Sequence, residues 1–344
     1  MLKGLALTPP VIGRIAIGKV VEKNGRRLPE KDDEFTVTSQ VQNKDGWVSH
    51  PVDQQLRKEQ PAAKLRSIPV RMLFDDPDLN LRANYTMFDR STGRPLCVGD
   101  GEKCMRVTLS GMQSLPCPAP AACPLAHDGH CKPYGRLYVR IDADKGSDAQ
   151  KGEGCTDALG SFIFRTTGFN SIRTLSARLR YLFAVSGGLL AGLPLELRLR
   201  GKSTTLSHRA PIYYVDLTLR ESGSLSQVVA RARQEREQQM ALGLDQGALD
   251  NAARQGLALG EFEESEEEGR DVMEEFYPQQ HPQDGDKASA EGEVNRQGTN
   301  NSALPGNPLK AKLAHKLQAR TRAGSTDVAK TKATGDAGGS HAGT

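Results

Sequence analysis

The chain has 344 residues, with 46 Lys and Arg against 42 Asp and Glu for a net charge of +4, and 37% hydrophobic residues. No apolar run approaches the roughly 18–20 residues of a membrane span, and Pro9 and Pro10 cut short the one near the N-terminus. With no secretory signal and no membrane helix, the chain is expected to be cytoplasmic, its thiols reduced.

Residues 1–95 read as a β-rich part. VIGRIAIGKVV, EFTVTSQV, IPVRMLF and ANYTMFD are β-branched or aromatic runs bounded by Gly, Pro, Asn and Asp, as short strands between turns should be. Trp47 sits in the polar stretch NKDGWVSHP, where a lone Trp is expected to anchor a loop with one edge wet. The stretch LRKEQPAAKLRS is charged and broken by Pro61, and is expected to link two strands.

Residues 96–136 hold five of the six cysteines: Cys97, Cys104, Cys117, Cys123 and Cys131. In a reducing compartment a cluster of this density points to metal ligands rather than disulfides. Soft sulfur donors suit zinc, and four of them close its tetrahedral shell, which makes a structural site. The spacings are looser than the usual C-x2–4-C knuckle, while Pro118, Pro120 and Pro124 stiffen the CPAPAACPLA segment. The expected ligands are Cys97, Cys117, Cys123 and Cys131, with Cys104 as the alternative and His127 or His130 as substitutes. Cys155, in a polar loop, is read as a bystander.

Residues 137–258 read as an α+β core. GRLYVRI alternates apolar and basic residues, and GSFIFRTTG is a strand ending at Gly168. Asn170 or Ser171 is the expected N-cap of a helix with Ile172, Leu175, Leu179, Leu182 and Phe183 on one stripe, stopped by Gly187–Gly188. LPLELRLR alternates Leu193, Leu195, Leu197 and Leu199 with Glu196, Arg198 and Arg200. IYYVDLTL is the next strand, with Tyr213, Val215, Leu217 and Leu219 on one face. A long charged helix capped by Ser224 or Ser226 follows, then a shorter one. Helices after a strand-rich start give α+β.

Residues 259–344 are expected to be a disordered tail. Gly260 to Glu275 carries nine acidic residues against one arginine, Leu309 to Lys332 turns basic, and the rest is rich in Gly, Pro, Asn, Gln and Ser. Such composition cannot bury enough apolar surface to offset ordering.

No catalytic constellation is assignable: there is no GxSxG or HExxH, and only His208 lies in residues 160–220. GKSTT at 201–205 is not a phosphate loop, because Glu196 stands where the first glycine belongs and no helix follows. It reads as a tight basic turn between strands. Between Gly160 and Arg220, nine Lys and Arg face two acids. Arg165, Arg173, Arg178, Arg198, Arg200 and Lys202 are therefore candidates for a surface that meets nucleic acid or an acidic partner.

The order CVGDG, CPAPAACP, GHCKPYGRLYV, GSFIFRTTGFNSIRTLSARLRYL, LPLELRLRGKSTT and PIYYVDLTLR resembles the gene-product-three-like family of phage recombination directionality factors. The resemblance spans roughly residues 10–235 and is most specific in FRTTGFNSIRTL. Relatives on integrative elements carry labels such as "hydrolase or metal-binding protein". It implies a non-enzymatic accessory factor that binds a serine integrase on DNA and directs it to excision. It also implies that Cys97, Cys117, Cys123 and Cys131 hold zinc. The DNA contact would be direct or through the integrase, with no small-molecule substrate. The alternatives are a zinc-containing nucleic-acid-binding protein for mobile-element replication or maintenance, and a metal-dependent hydrolase.

Overall fold

The β-branched runs become strands, and the strands join. The computed structural model describes residues 10–23, 26–44, 46–59, 64–126, 129–142, 160–205, 208–220, 224–259 and 266–277. Twelve strands form one sheet: β1 (Val11–Lys23), β2 (Arg26–Asn43), β3 (Gly46–Ser49), β4 (Ser67–Met72), β5 (Leu81–Phe88), β6 (Pro95–Gly99), β7 (Lys103–Thr108), β8 (Gly111–Pro116), β9 (Cys131–Ile141), β10 (Ser161–Thr166), β11 (Leu195–Ser203) and β12 (Pro211–Leu219). Its main path runs β3-β2-β1-β10-β9-β5-β6-β7-β8. Among the described ladders only β1 with β10 is parallel. The whole is a mixed α and β fold, rich in strand.

β9 is the branch point. β10 runs along one of its edges, through Phe162↔Val139 and Arg165↔Arg136. On the other edge β5 and β4 lie end to end, with Leu81↔Leu137 followed by Met72↔Val139. β4 then hands the sheet to β11 and β12. Between β4 and β5 the chain loops out through α2 (Pro77–Asn80) and returns to the same edge.

Side chains alternate between the two faces of a strand, and here the faces differ in kind. Ile15, Leu137, Val139, Phe162, Phe164 and Leu197 join the main core. Over it pack α1 (Pro51–Glu59), α4 (Phe169–Ser186), a 3-10 turn at Leu190–Gly192 and α5 (Leu225–Ala241). A one-turn helix α3 (Ala119–Ala122), α6 (Gln246–Leu259) and α7 (Glu266–Phe276) complete the described helices. No described helix is long and apolar enough to cross a membrane.

Three expectations are corrected by these elements. LRKE of the supposed linker ends α1, whose Val52 and Leu56 are buried and whose Asp53 accepts from the Val37 amide at 2.9 Å and from Arg57 at 2.7 Å. The α4 N-cap is Gly168, not Asn170 or Ser171. Ser171 is buried instead, its hydroxyl accepting from the Val215 amide at 3.1 Å, so it staples the helix to β12. Finally, residues 266–277 of the expected tail are a helix and its cap, with Val272 and Tyr277 buried against Phe88 and Tyr134. The rest of the tail, residues 278–344, lies outside the described residues, as does Cys155.

Elsewhere the pattern reading holds. Leu175, Leu179 and Leu182 are buried, while Phe183 turns outward. The helix stops at Gly187, whose φ of 69° is left-handed, a conformation that favours glycine. GKSTT is a turn only in part: Gly201, Lys202 and Ser203 end β11, paired with β12 as far as Ser203↔Pro211, and Thr204 and Thr205 enter the turn, where His208 and Arg209 take positive φ. Ser224 and Gln227 form a capping box at the start of α5.

Candidate functional site

The cysteines reach one corner of the sheet by three routes. Cys97 on β6 and Cys131 on β9 both stand opposite Met87 of the intervening β5, which sets their Cα atoms about 10 Å apart at ordinary strand spacing. Cys104 on β7 pairs with Gly99, two residues along from Cys97. Cys117 and Cys123 flank the single turn of α3. Gly99 is what lets this corner close: a Cβ there would lie 2.8 Å from both the Cys104 Cβ and the Cys117 Sγ.

Cys97 and Cys104 are buried; Cys117, Cys123 and Cys131 are half-buried, and all five are free thiols. Burial, then the neighbouring Cys97, Cys117, Cys123 and Cys104, push Cys131 up to about 12. Burial and a hydrogen bond with Cys97 push Cys104 up to about 11. Arg106 donates to Cys104 Sγ at 3.9 Å. Among the described residues, no group of three or more His, Cys, Asp or Glu side chains is arranged to hold a metal ion. His130 pairs with Arg90 at 3.2 Å, and His127 lies outside the described residues.

The six basic candidates do not share one surface. Arg165 stands apart from the other five: β10 is an interior strand, and the side chain is buried, paired to Glu268 of α7 at 3.1 Å. Arg178 from α4 and Arg200 from β11 converge on the buried Asp216 at 3.0 and 2.7 Å. Arg198 pairs with Glu196. Arg173 and Lys202 are exposed and make no ion pair among the described residues. The local charge excess is thus partly neutralised by the two acids in the same stretch.

Asp216 is the keystone of that group. Burial alone would raise its carboxyl, but the hydrogen bonds from Arg178 and Arg200 outweigh burial and hold it below its ordinary value. Asp216→Asn is expected to cost about 1–2 kcal/mol, the worth of charge-assisted bonds discounted for half-exposed arginines. A carboxylate held low in the folded state contributes stability above the ordinary carboxylate pKa of about 4 and loses it as pH falls through the lower folded value. Thermal melts at neutral pH should therefore separate the variant from the parent, and the gap should narrow in acid.

A second arginine cluster went unread in the sequence. Arg165, Arg136 and Arg82 stand in register across β10, β9 and β5, and Arg14 on β1 lies one row along, opposite Ile163. They are 8%, 6%, 4% and 7% exposed, on the sheet face away from the main core. Aromatic rings interleave with them. Arg14 lies 4.0 Å over Trp47, Arg82 is 5.2 Å from the Tyr138 ring, and Arg136 is 5.8 Å from the Tyr134 ring. Trp47 therefore stands on strand β3 as an anchor for a cation. The only sequence signal was an arginine at alternating positions in otherwise apolar strands, as in VIGRIAI and GRLYVRI.

The Gp3-like family, described as recombination directionality factor-like, matches residues 12–220. That stretch contains both the cysteine corner and all four arginines. No curated protein and no solved structure matches the chain.

Proposed function

The chain belongs to the Gp3-like, recombination directionality factor-like family, and from that premise we propose that it is a non-enzymatic accessory factor of a phage or integrative element. In this reading it binds the element's site-specific recombinase, a serine integrase, on DNA in the cytoplasm and biases it toward excision. The carrying observation is the extent of the family match, which runs from β1 through β12. The test is recombination in vitro between the element's hybrid attachment sites. Adding the purified chain to the recombinase is expected to produce excision products absent with recombinase alone. An unchanged reaction, together with no co-purification of the two proteins, overturns the reading.

Within it, the cysteine corner serves as a brace. Cys97, Cys117, Cys123 and Cys131, with Cys104 as the alternative, are the proposed ligands of one structural zinc. What supports this is the chemistry of the donor set and its gathering on adjacent strands and one stiff turn. Thiolates crowded without a cation repel, which a divalent ion reverses. A short rearrangement of side chains would be needed to bring four sulfurs into the tetrahedral shell. Exposed Arg173 and Lys202 are the members of the predicted basic surface left to face the recombinase or DNA.

A further inference from the structure

Helix α7 is acidic, yet it lies over the most arginine-rich face of the sheet. Its Glu268, Asp271 and Glu275 fall on one side of the helix at i, i+3 and i+7. Glu268 pairs with Arg165 at 3.1 Å and Glu275 with Arg14 at 2.7 Å, while Asp271 accepts from Gln42 at 3.3 Å. Val272, Met273, Phe276 and Tyr277 pack beside Phe88 and Tyr134. Seating is tight at one point: a Cβ on Gly269 would lie 1.9 Å from the Gly93 carbonyl oxygen. Two glycines back to back let the helix approach the β5–β6 turn.

Stability alone does not call for this arrangement. Buried ion pairs are commonly no better than apolar residues of the same size, because desolvation offsets the attraction. The Arg14–Glu275 pair carries that penalty: burial holds Arg14 below its ordinary value and Glu275 above its own. What four arginines interleaved with Trp47, Tyr134 and Tyr138 do suit is a phosphate backbone with unpaired bases. Guanidinium groups neutralise the phosphates, and flat rings stack the bases. The arginines lie inside the family-matched residues 12–220, and α7 lies outside them.

From these observations we infer that the Arg14, Arg82, Arg136 and Arg165 face is a single-stranded DNA site, and that α7 is an acidic cover occupying it until DNA displaces it. The carboxylates at 268, 271 and 275 stand where phosphates would lie. This does not depend on the integrase reading, since the site is tested with no recombinase present.

The experiment uses the full chain and fluorescence anisotropy of a labelled thymidine oligonucleotide, beside a duplex of equal length. Two variants uncover the face by different means: Glu268→Gln with Asp271→Asn and Glu275→Gln removes charge, and Gly269→Val removes fit. Both are expected to bind the single strand at least about tenfold tighter than the parent, with the gain lost in high salt because it rests on counterion release. Adding Arg82→Gln and Arg136→Gln should abolish the gain. Folded variants, judged by circular dichroism and melting, that bind no tighter overturn the proposal. So does a gain confined to the duplex. Should a variant fail to fold, hydrogen exchange on the parent decides. Excess oligonucleotide is expected to lower protection in residues 266–276, and unchanged protection overturns the idea.

Discussion

Asn80→Ala is expected to lower the unfolding free energy by about 3–5 kcal/mol, because it strips partners from several backbone groups that have little access to water. Asn80 is fully buried. Its Oδ1 accepts from the amides of Leu73 and Phe74 at 3.0 and 3.1 Å, and its Nδ2 donates to the carbonyls of Phe74 and Asp76 at 2.7 and 2.9 Å. One side chain thus closes the excursion between β4 and β5. Asp250 of α6 ties the same loop from outside, accepting from the amides of Asp75 and Asp76 at 3.0 and 2.9 Å. Because Asp75 and Asp76 are only part-buried, water can replace Asp250, and Asp250→Asn should cost clearly less. Urea unfolding checks both. A loss below about 1 kcal/mol for Asn80→Ala would mean that the loop relaxes onto other partners. The effect should also reach function, since the excursion sets where β5 rejoins β9 and hence where Arg82 and the cysteine-bearing strands stand.

What the sequence disclosed and what it withheld divide along physical lines. Period-two alternation made β9, β11 and β12 legible, because each strand has one face in the main core and packing enforces the pattern locally, while β10, buried on both faces, was legible as a short apolar run ending at a glycine. The α4 stripe and its glycine stop were legible for the same reason. Asn80 was not: a buried amide that satisfies four backbone groups looks like any turn residue until the turn is folded. Ser171 was misread because a hydroxyl at a helix start has two uses, and only the position of β12 decides between them. The burial of Arg165 was not legible, because local charge does not reveal which strand is interior. Helix α7 was the largest miss. EEEGRDVMEEF has the composition of a disordered acidic run, and what orders it is a set of arginines more than 100 residues away in the chain, along with the close fit of Gly269 on Gly93. Composition measures what a segment can bury by itself, and α7 buries itself on surface supplied elsewhere.

The cysteine corner was legible as a cluster, and its proposed role is open to direct measurement. Cys131→Ser and Cys117→Ser are each expected to lower zinc content and melting temperature together. The binding energy of a structural zinc is folding energy, on the order of 10 kcal/mol in small zinc peptides at neutral pH, and losing one of four ligands forfeits much of it. Zinc per chain can be read with a chromophoric chelator after denaturation, and stability by thermal melts with and without added chelator. The loss should be local in origin. Cys131 opposes Met87 on β5, and β6 to β8 hang from that strand, so exchange protection should fall there before it falls in α4, whose Leu175 and Leu179 sit in the main core. Cys155→Ser is expected to leave both readings unchanged, and Cys104→Ser tells whether Cys104 is a ligand or only a buried neighbour. A parent protein that is stable and free of zinc removes the brace altogether. A variant that keeps its zinc and its stability, yet no longer supports excision, would give the cysteines a direct part in partner contact, because a brace can act on function only through the fold it holds.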